Sequence, residues 1–361
     1  MITRDDALLI DALQIAPRAS WATLGEHLGI SPVTAAKRWQ RLNEEGLAWV
    51  TVAPGMAASR PQCLAYVEIT CHPRMRLAVA ETIARHTLAA TVEVVTGSAD
   101  ILVTACAADL PTLSNYVLEH LSVVEGVLST RLRIATRLYS EGSDWRLQVL
   151  SEPTVVALER LRGEALSEGE RPDPMESMPG ETKAIISQLA MDGRMSYADL
   201  AERADTSPTT ARRRVSDLLR SGILILRTDV SAQDAGWPVQ AYVWANAPIS
   251  TLRDTVRELS KMRQTRLTAT VAAGPVIALC TWLRTVEELH RLELTIAEQI
   301  PQLQVVDRLI VLRVVKRVGR LLDEGGRSMG VVPINIWDDP VSVPPPFPAS
   351  SAGSASSPPG G

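Results

Sequence analysis

Aromatic side chains are scarce in this 361-residue chain: five tyrosines, eight tryptophans and one phenylalanine, Phe347, in a Pro/Ser-rich stretch. So thin a supply argues against a base-stacking surface of the kind that grips single-stranded nucleic acid. Cysteine is sparse too. Cys63, Cys71, Cys106 and Cys280 lie in apolar or strand-like text without CxxC spacing, so neither a disulfide framework nor a zinc site is supported, and they read as small core residues. The five histidines, His27, His72, His86, His120 and His290, show no metal-ligand spacing and are expected at the surface. No metal and no cofactor is expected. No hydrophobic run approaches the roughly 20 residues that span a bilayer, and the charged start from Met1 to Asp6 is no signal peptide, so a soluble, cytoplasmic chain is expected. Positive charge is also short. Lys and Arg number 37 against 41 Asp and Glu, a net charge of −4, which counts mildly against nucleic-acid binding and leaves the matter to local clusters. What is plentiful is apolar text, 46% of the chain, enough at this length for more than one core.

The chain repeats itself. Residues 18–47 reappear as 194–223 at a shift of 176: Arg18, Ser20, Leu24, Ser31-Pro32, Thr34-Ala35, Arg38 and Gly46 recur as Arg194, Ser196, Leu200, Ser207-Pro208, Thr210-Ala211, Arg214 and Gly222. The same shift carries Ala65-Tyr66-Val67 onto Ala241-Tyr242-Val243, and one further residue of drift places Gly97 over Gly274. Between the copies, a polar Pro/Gly stretch from Ser167 through Pro174 to Gly180 reads as a linker. Ahead of it, residues 145–166 have helical spacing at Val155, Leu158, Leu161 and Ala165. From Pro340 onward the text is Pro, Ser, Gly and Ala, too poor in packable side chains to order.

Each copy opens with three short helical patterns. Ser20 is a plausible N-cap for the second, and Gly29 supplies a turn. Ser31-Pro32, repeated as Ser207-Pro208, then starts a third helix with a capping hydroxyl and a proline at the first helical position, where its missing N–H costs nothing. Two helices joined by such a turn form the motif whose second helix enters the DNA major groove. On that helix Ala35, Trp39 and Leu42 share the packing side, while Val33, Thr34, Lys37, Gln40 and Arg41, behind the capping Ser31, face out. In the second copy Ala211, Val215 and Leu218 pack, while Thr209, Thr210, Arg213 and Ser216, behind Ser207 and flanked by Arg212, face out. Arg38 and Arg214 sit at the packing edge and are expected to serve structure. Asp217 stands where the first copy has Arg41, and weakens the second copy as a phosphate binder unless Arg213 pairs with it. Ordinary solvated helix faces remain the plainer alternative.

After each triple helix the pattern turns to strands. In the first copy, residues 64–70, 92–96, 101–105 and 128–134 read as strands, and residues 76–88 and the run holding Leu113, Val117 and Leu121 as helices, in the order βαββαβ. The second copy repeats this with helix faces Leu252, Val256, Leu259 and Leu289, Leu292, Ile296. Such a unit is a ferredoxin-like split βαβ sheet whose free face is apolar and expects a partner sheet. The fold class is therefore α+β: two repeats of a winged or three-helix helix-turn-helix domain followed by a ferredoxin-like βαββαβ domain. The boundaries read as 1–55 and 60–140 for the first repeat, 141–180 for a helical segment and linker, 181–232 and 237–320 for the second repeat, and 338–361 for a disordered tail.

Taken with the Arg-x-Ser-x-x-x-Leu-x-Glu and Ser-Pro-x-Thr-Ala-x-x-Arg text and a Gly-x-x-Asp hairpin, this order resembles the Lrp/AsnC family, twice over, across nearly all of residues 1–320. The resemblance implies a transcriptional regulator that binds double-stranded DNA, is cytoplasmic and nucleoid-associated, responds to a small molecule such as an amino acid, and pairs through its sensing (RAM-type) sheets, here as an intrachain pseudo-dimer or a homo-oligomer. It places the effector near Gly97, Ser98, Ala99 and Asp100, Gly97 allowing close backbone approach and Asp100 offering a carboxylate to a ligand ammonium. An ordinary turn explains the same residues. Two other readings stay open. Siroheme decarboxylases resemble this architecture but resemble a His-x-Tyr-Asn-x-Trp pattern at the hairpin, where residues 97–104 and 274–281 have neither His nor Tyr. A non-DNA-binding assembly partner suits the acidic net charge.

Overall fold

The computed structural model describes residues 1–55, 62–167 and 178–337. Residues 168–177 of the expected linker and the expected tail, 338–361, lie outside the described residues. The first repeat runs α1 (Arg4–Ile15), α2 (Trp21–Leu28), α3 (Pro32–Glu44), β1 (Ala48–Pro54), β2 (Cys63–Cys71), α4 (Arg76–Ala84), β3 (Ala89–Val95), β4 (Ile101–Ala107), α5 (Leu110–Asn115) with a π-helical continuation over Tyr116–Leu121, and β5 (Val127–Ser140). A connecting helix, α6 (Glu152–Ser167), follows. The second repeat traverses the same order: α7 (Gly180–Met191), α8 (Tyr197–Arg203), α9 (Pro208–Arg220), β6 (Leu224–Val230), β7 (Val239–Asn246), α10 (Leu252–Lys261), β8 (Thr265–Ala272), β9 (Ile277–Leu283), α11 (Glu287–Gln299) and β10 (Gln304–Arg317). It ends with a short hairpin, β11 (Arg320–Leu322) and β12 (Ser328–Val331). The architecture is α+β, and no described helix is long and apolar enough to cross a membrane.

The helix starts are fixed by side-chain caps. The hydroxyls of Ser20, Ser31, Ser196 and Ser207 each accept from the backbone N–H three residues on, satisfying donors that a helix leaves orphaned. Gly29 ends α2 in the left-handed region at φ 68°, and Asp205 takes the same place after α8 at φ 50°. Asp tolerates that region through its short polar side chain.

Strand pairing joins the two repeats. β1 and β6 pair antiparallel, and Thr51 faces Arg227, its own equivalent 176 residues on. A local twofold relation therefore passes through that pair. β5 pairs with β2 up to Ile134 and continues against β8. β10 likewise pairs with β7 and then with β3. The exchange is reciprocal to the residue: register shifts fall between Ala135 and Arg137 and again between Val311 and Arg313, positions 176 apart. Eight strands thus close in the order β10-β3-β4-β2-β5-β8-β9-β7 and back to β10. The apolar faces of both sheets meet inside, where Tyr66 packs edge-on against Trp244 with ring centres 5.6 Å apart. The partner sheet that each module needs comes from the other half of the same chain.

The shift of 176 also holds through the hairpins, because Val95 pairs with Asp100 as Val271 does with Val276. The expected drift is corrected: Gly97 corresponds to Ala273, and both have positive φ. Other differences have local causes. The helix expected over 76–88 stops at Ala84, since Leu88 already bonds to Cys106 across the sheet. The helix expected from residue 145 starts at Glu152, because residues 145–151 are anchored in a non-helical path that turns at Gln148, φ 56°: buried Asp11 accepts from the N–H groups of Val149 and Leu150, and Gln14 from that of Leu147. His86 is buried rather than exposed, with Nδ1 3.2 Å from the Tyr116 hydroxyl. Beyond β10, Val332, Ile334 and Ile336 pack into the core of the first sensing module; their alternate spacing is the signal for it, one that the expected close of the second repeat at 320 leaves out.

The helical modules clasp each other through equivalent arginines. Arg18 donates to the carbonyls of Gly193 and Met195 and lies over the Tyr197 ring. Arg194 donates to Pro17 and Ala19 and lies 3.9 Å over Trp21. Arg194→Ala removes two charge-assisted hydrogen bonds and a cation–π contact and is expected to cost about 2–4 kcal/mol of stability. Guanidinium denaturation measures this, and adding Arg18→Ala should cost less than it does alone, since the two clasps share one joint.

Candidate functional site

The open faces of α3 and α9 are the candidate nucleic-acid interface. On α3, Val33, Thr34, Lys37 and Gln40 are exposed, and Ala35, Trp39 and Leu42 are buried. Ser31 and Thr34 also close the N-terminus: the Ser31 hydroxyl accepts from the Thr34 N–H at 3.0 Å and lies 2.8 Å from its hydroxyl. Ser207 and Thr210 do the same for α9. Lys37 has no carboxylate within ion-pair distance among the described residues. Arg41 differs, because it pairs with buried Asp6 at 2.7 Å and with Glu45 at 3.2 Å. Burial pushes the Asp6 carboxyl up, but hydrogen bonds from Thr3 and Arg41 outweigh it and hold the group below its ordinary range. Arg41 is thus a structural tie between α1 and α3, and the expectation of a free cation there is corrected. Gln40 donates to Glu44 at 2.8 Å, an acidic neighbour on the open face that was not singled out in the sequence.

On α9 the balance is more positive. Thr209, Arg212 and Arg213 are exposed, and neither arginine has a carboxylate partner among the described residues. Asp217 pairs with Arg220 at 2.6 Å rather than with Arg213, so Arg213 keeps its charge for a phosphate. Arg38 and Arg214 fulfil structural roles, paired with Asp5 and Glu181. Arg212 and half-buried Ser216 do not share the fully open face. They line a cleft of about 440 Å³ whose other walls include Ala16, Arg18 and Leu161. Arg212 stays exposed at the rim of that cleft, and the outward placement of Ser216 is corrected, because α6 packs beside α9 there.

The hairpin expected to hold an effector is instead tied into the protein. Asp100 accepts from the Cys71 N–H at 2.9 Å and pairs with Arg76 at 2.7 Å. The carboxylate expected to be free for an ammonium closes the turn. Ser98 donates to Asp307 at 2.7 Å, Ala99 is buried in the inter-sheet core, and Gly97 lets the turn approach the Arg308 carbonyl, where a Cβ would sit 2.9 Å away. Gly97, Ser98 and Ala99 brace the hairpin against β10, and Asp100 ties it to β2 and α4.

A buried charged cluster stands where the wing pair meets the barrel. Asp229 holds Arg227 at 2.8 Å and also binds Arg266. Gln240 donates to Glu93 and accepts from the Trp282 indole N–H at 3.1 Å and from Arg317 at 3.2 Å. The guanidiniums of Arg266 and Arg317 lie 3.9 and 4.9 Å from the Trp282 ring. Glu93 is 0% exposed, and burial pushes its carboxyl up to about 7 despite the nearby Arg317 charge. Apart from Arg227 and Asp229, both on β6, these residues come from separate strands, so no local motif marks the cluster. The available signal was a charge set among apolar strand residues, as in Val92-Glu93-Val94.

Comparisons with known proteins follow the same division. Residues 2–43 match the AsnC-type helix-turn-helix domain, residues 64–145 the Lrp/AsnC ligand binding domain, and residues 182–225 a winged helix-turn-helix DNA-binding model. An HTH-type transcriptional regulator of Pyrococcus furiosus is 32% identical over 134 residues, 36% of this chain and 89% of that protein. Another, of Pyrococcus abyssi, is 29% identical over 110 residues, 30% of this chain and 70% of its own length. Among solved structures, the siroheme decarboxylase NirDL is similar over 88% of this chain and 93% of its own, with a TM-score of 0.55 at 15% identity. That is a likeness of fold alone.

Two buried groups give opposing pH dependences. Glu93, raised from 4.5 to about 7, makes the folded state bind more protons than the unfolded state between those values, so stability falls as pH rises through that window. His86, lowered by burial from 6.5 to about 4, does the reverse between pH 4 and 6.5. Glu93→Gln removes only the first effect. Relative to wild type, its unfolding free energy should gain about 3 kcal/mol between the ordinary and the shifted value. Denaturant titrations across that range measure the difference, and a constant difference would refute the perturbed Glu93.

Proposed function

Because this chain belongs to the Lrp/AsnC family of helix-turn-helix transcriptional regulators, we propose that it is a sequence-specific double-stranded DNA-binding regulator carrying two half-site readers in one chain. The observation that carries this reading is the twofold recurrence of a capped, proline-started helix with a packed inner side and an open outer side. Related by the local twofold through Thr51 and Arg227, the two helices suit half-sites about one turn of DNA apart. In this reading Val33, Lys37, Gln40, Thr209 and Arg213 meet the groove. The capping hydroxyls of Ser31, Thr34, Ser207 and Thr210 lie beside the first phosphates, with Arg212 at the margin. A small molecule, such as an amino acid, regulates binding only by favouring one arrangement of the readers over another.

The enzymatic reading has one observation in its favour, the fold likeness across most of the chain. Siroheme turnover followed by absorbance assigns it.

Fluorescence anisotropy with labelled promoter duplexes tests the regulator. Affinity should fall steeply with salt. Arg213→Ala and Lys37→Ala should each weaken binding to all duplexes and reduce the salt slope by about 1. Arg213→Ala should have the larger effect, since Glu44 offsets Lys37 on its own face. Arg41→Ala should lower stability more than affinity. Unchanged affinity in both the Arg213 and Lys37 variants would remove the proposed interface.

A further inference from the structure

The two open helix faces carry different chemistry at equivalent positions. At the shift of 176, Val33 of α3 corresponds to Thr209 of α9, Lys37 to Arg213, Gln40 to Ser216 and Glu44 to Arg220. Val33, directly behind the proline that starts α3, is 63% exposed. It packs into none of the described hydrophobic cores, and its branched methyls suit the C5 methyl of a thymine in the major groove. Two turns further along the same face, Gln40 gives one N–H to Glu44 at 2.8 Å. Its second N–H and its carbonyl oxygen have no other partner among the described residues, and that pair matches N7 and N6 of adenine. Glu44 holds the amide in place for it.

The α9 face is built otherwise. Arg213 is exposed and has no carboxylate partner among the described residues, because Asp217 is taken by Arg220 at 2.6 Å. A guanidinium there attracts any duplex through its charge, and over a guanine it gains two directed hydrogen bonds to O6 and N7 as well. Lys37, its counterpart on α3, is a flexible point charge without that rigid fork, on a face that Glu44 makes less positive. Ser216, the counterpart of Gln40, is half-buried in the cleft beside α6 and has left the open face. The adenine-matching amide of α3 therefore has no equivalent on α9, and the guanine-matching fork of α9 has none on α3.

We propose that this chain reads a non-palindromic operator: an A·T half-site under α3, fixed by a thymine methyl against Val33 and an adenine against Gln40, and a half-site under α9 fixed by a guanine beneath Arg213. The inference rests on the regulator reading above. A symmetric pair of chains reads the same bases twice and calls for a palindrome. Here the backbone relation is twofold, with Thr51 facing Arg227, so the two helices address the duplex alike while the bases they select differ. The bound chain then has one orientation on the duplex, and α6, packed beside α9, marks the guanine half-site.

Selection of duplexes from a random pool by the full chain, followed by sequencing, tests the operator. Two unlike half-sites about one helical turn apart should emerge, one holding guanine and the other A·T pairs. Fluorescence anisotropy should then show the selected duplex bound about tenfold more tightly than a palindrome built from either half. Arg213→Ala weakens every duplex through the lost charge, and should weaken the selected duplex by about tenfold more than one in which that guanine is replaced. Val33→Ser and Gln40→Ala should each relax base preference in the A·T half-site alone. A palindromic consensus, a single half-site, or base preferences unchanged in all three variants each overturns the proposal and leaves the regulator standing. A pool from which no duplex is retained removes the regulator reading, and this inference with it.

Discussion

The last strand of each half, 14 residues long in both β5 and β10, is too long for the sheet in which it begins. Its first part completes its own module and its second part has backbone donors and acceptors left over, which only the other module can satisfy. That exchange brings the two apolar sheet faces together, closes the ring of eight strands and leaves few edges for other chains to join. The wing pair and the arginine clasps repeat the same relation above the barrel. Three separate contacts, in strands, in wings and in helices, thus obey one symmetry, and each of them fixes where the recognition helices stand.

The backbone keeps that symmetry more closely than the side chains do. Register shifts recur at equivalent residues, yet Thr51 faces Arg227, Leu64 of β2 corresponds to Gln240 of β7, and Arg41 of α3 corresponds to Asp217 of α9. Hydrogen-bonded ladders do not depend on side-chain identity, so the scaffold stays twofold while its chemistry diverges. The outcome is a pair of unlike readers over a centre with unlike walls. The α9 face carries more unpaired positive charge than that of α3, although the chain as a whole is acidic.

Much of the fold was legible in the sequence, for physical reasons. Ser-Pro caps and four-residue apolar spacing are local, so α2, α3, α8 and α9 could be read directly, as could strands whose apolar residues alternate. Features made by contact across the chain were not legible. Asp100 reads as a ligand carboxylate or a turn residue until Arg76 and the Cys71 N–H are seen to reach it. Arg41 looks like a phosphate contact until Asp6, 35 residues away, is found against it. His86 resembles a surface residue because nothing nearby in sequence announces Tyr116 and Lys316. The axial cluster, assembled from strands of both halves, is the extreme case.

Carrying both halves of a strand exchange in one chain changes what dilution does. Two separate subunits assembled this way come apart as their concentration drops, whereas a tethered pair meets at an effective concentration set by its connecting segment. The paired state then persists at a few copies per cell. Each chain thus brings with it both halves of its own ring of strands.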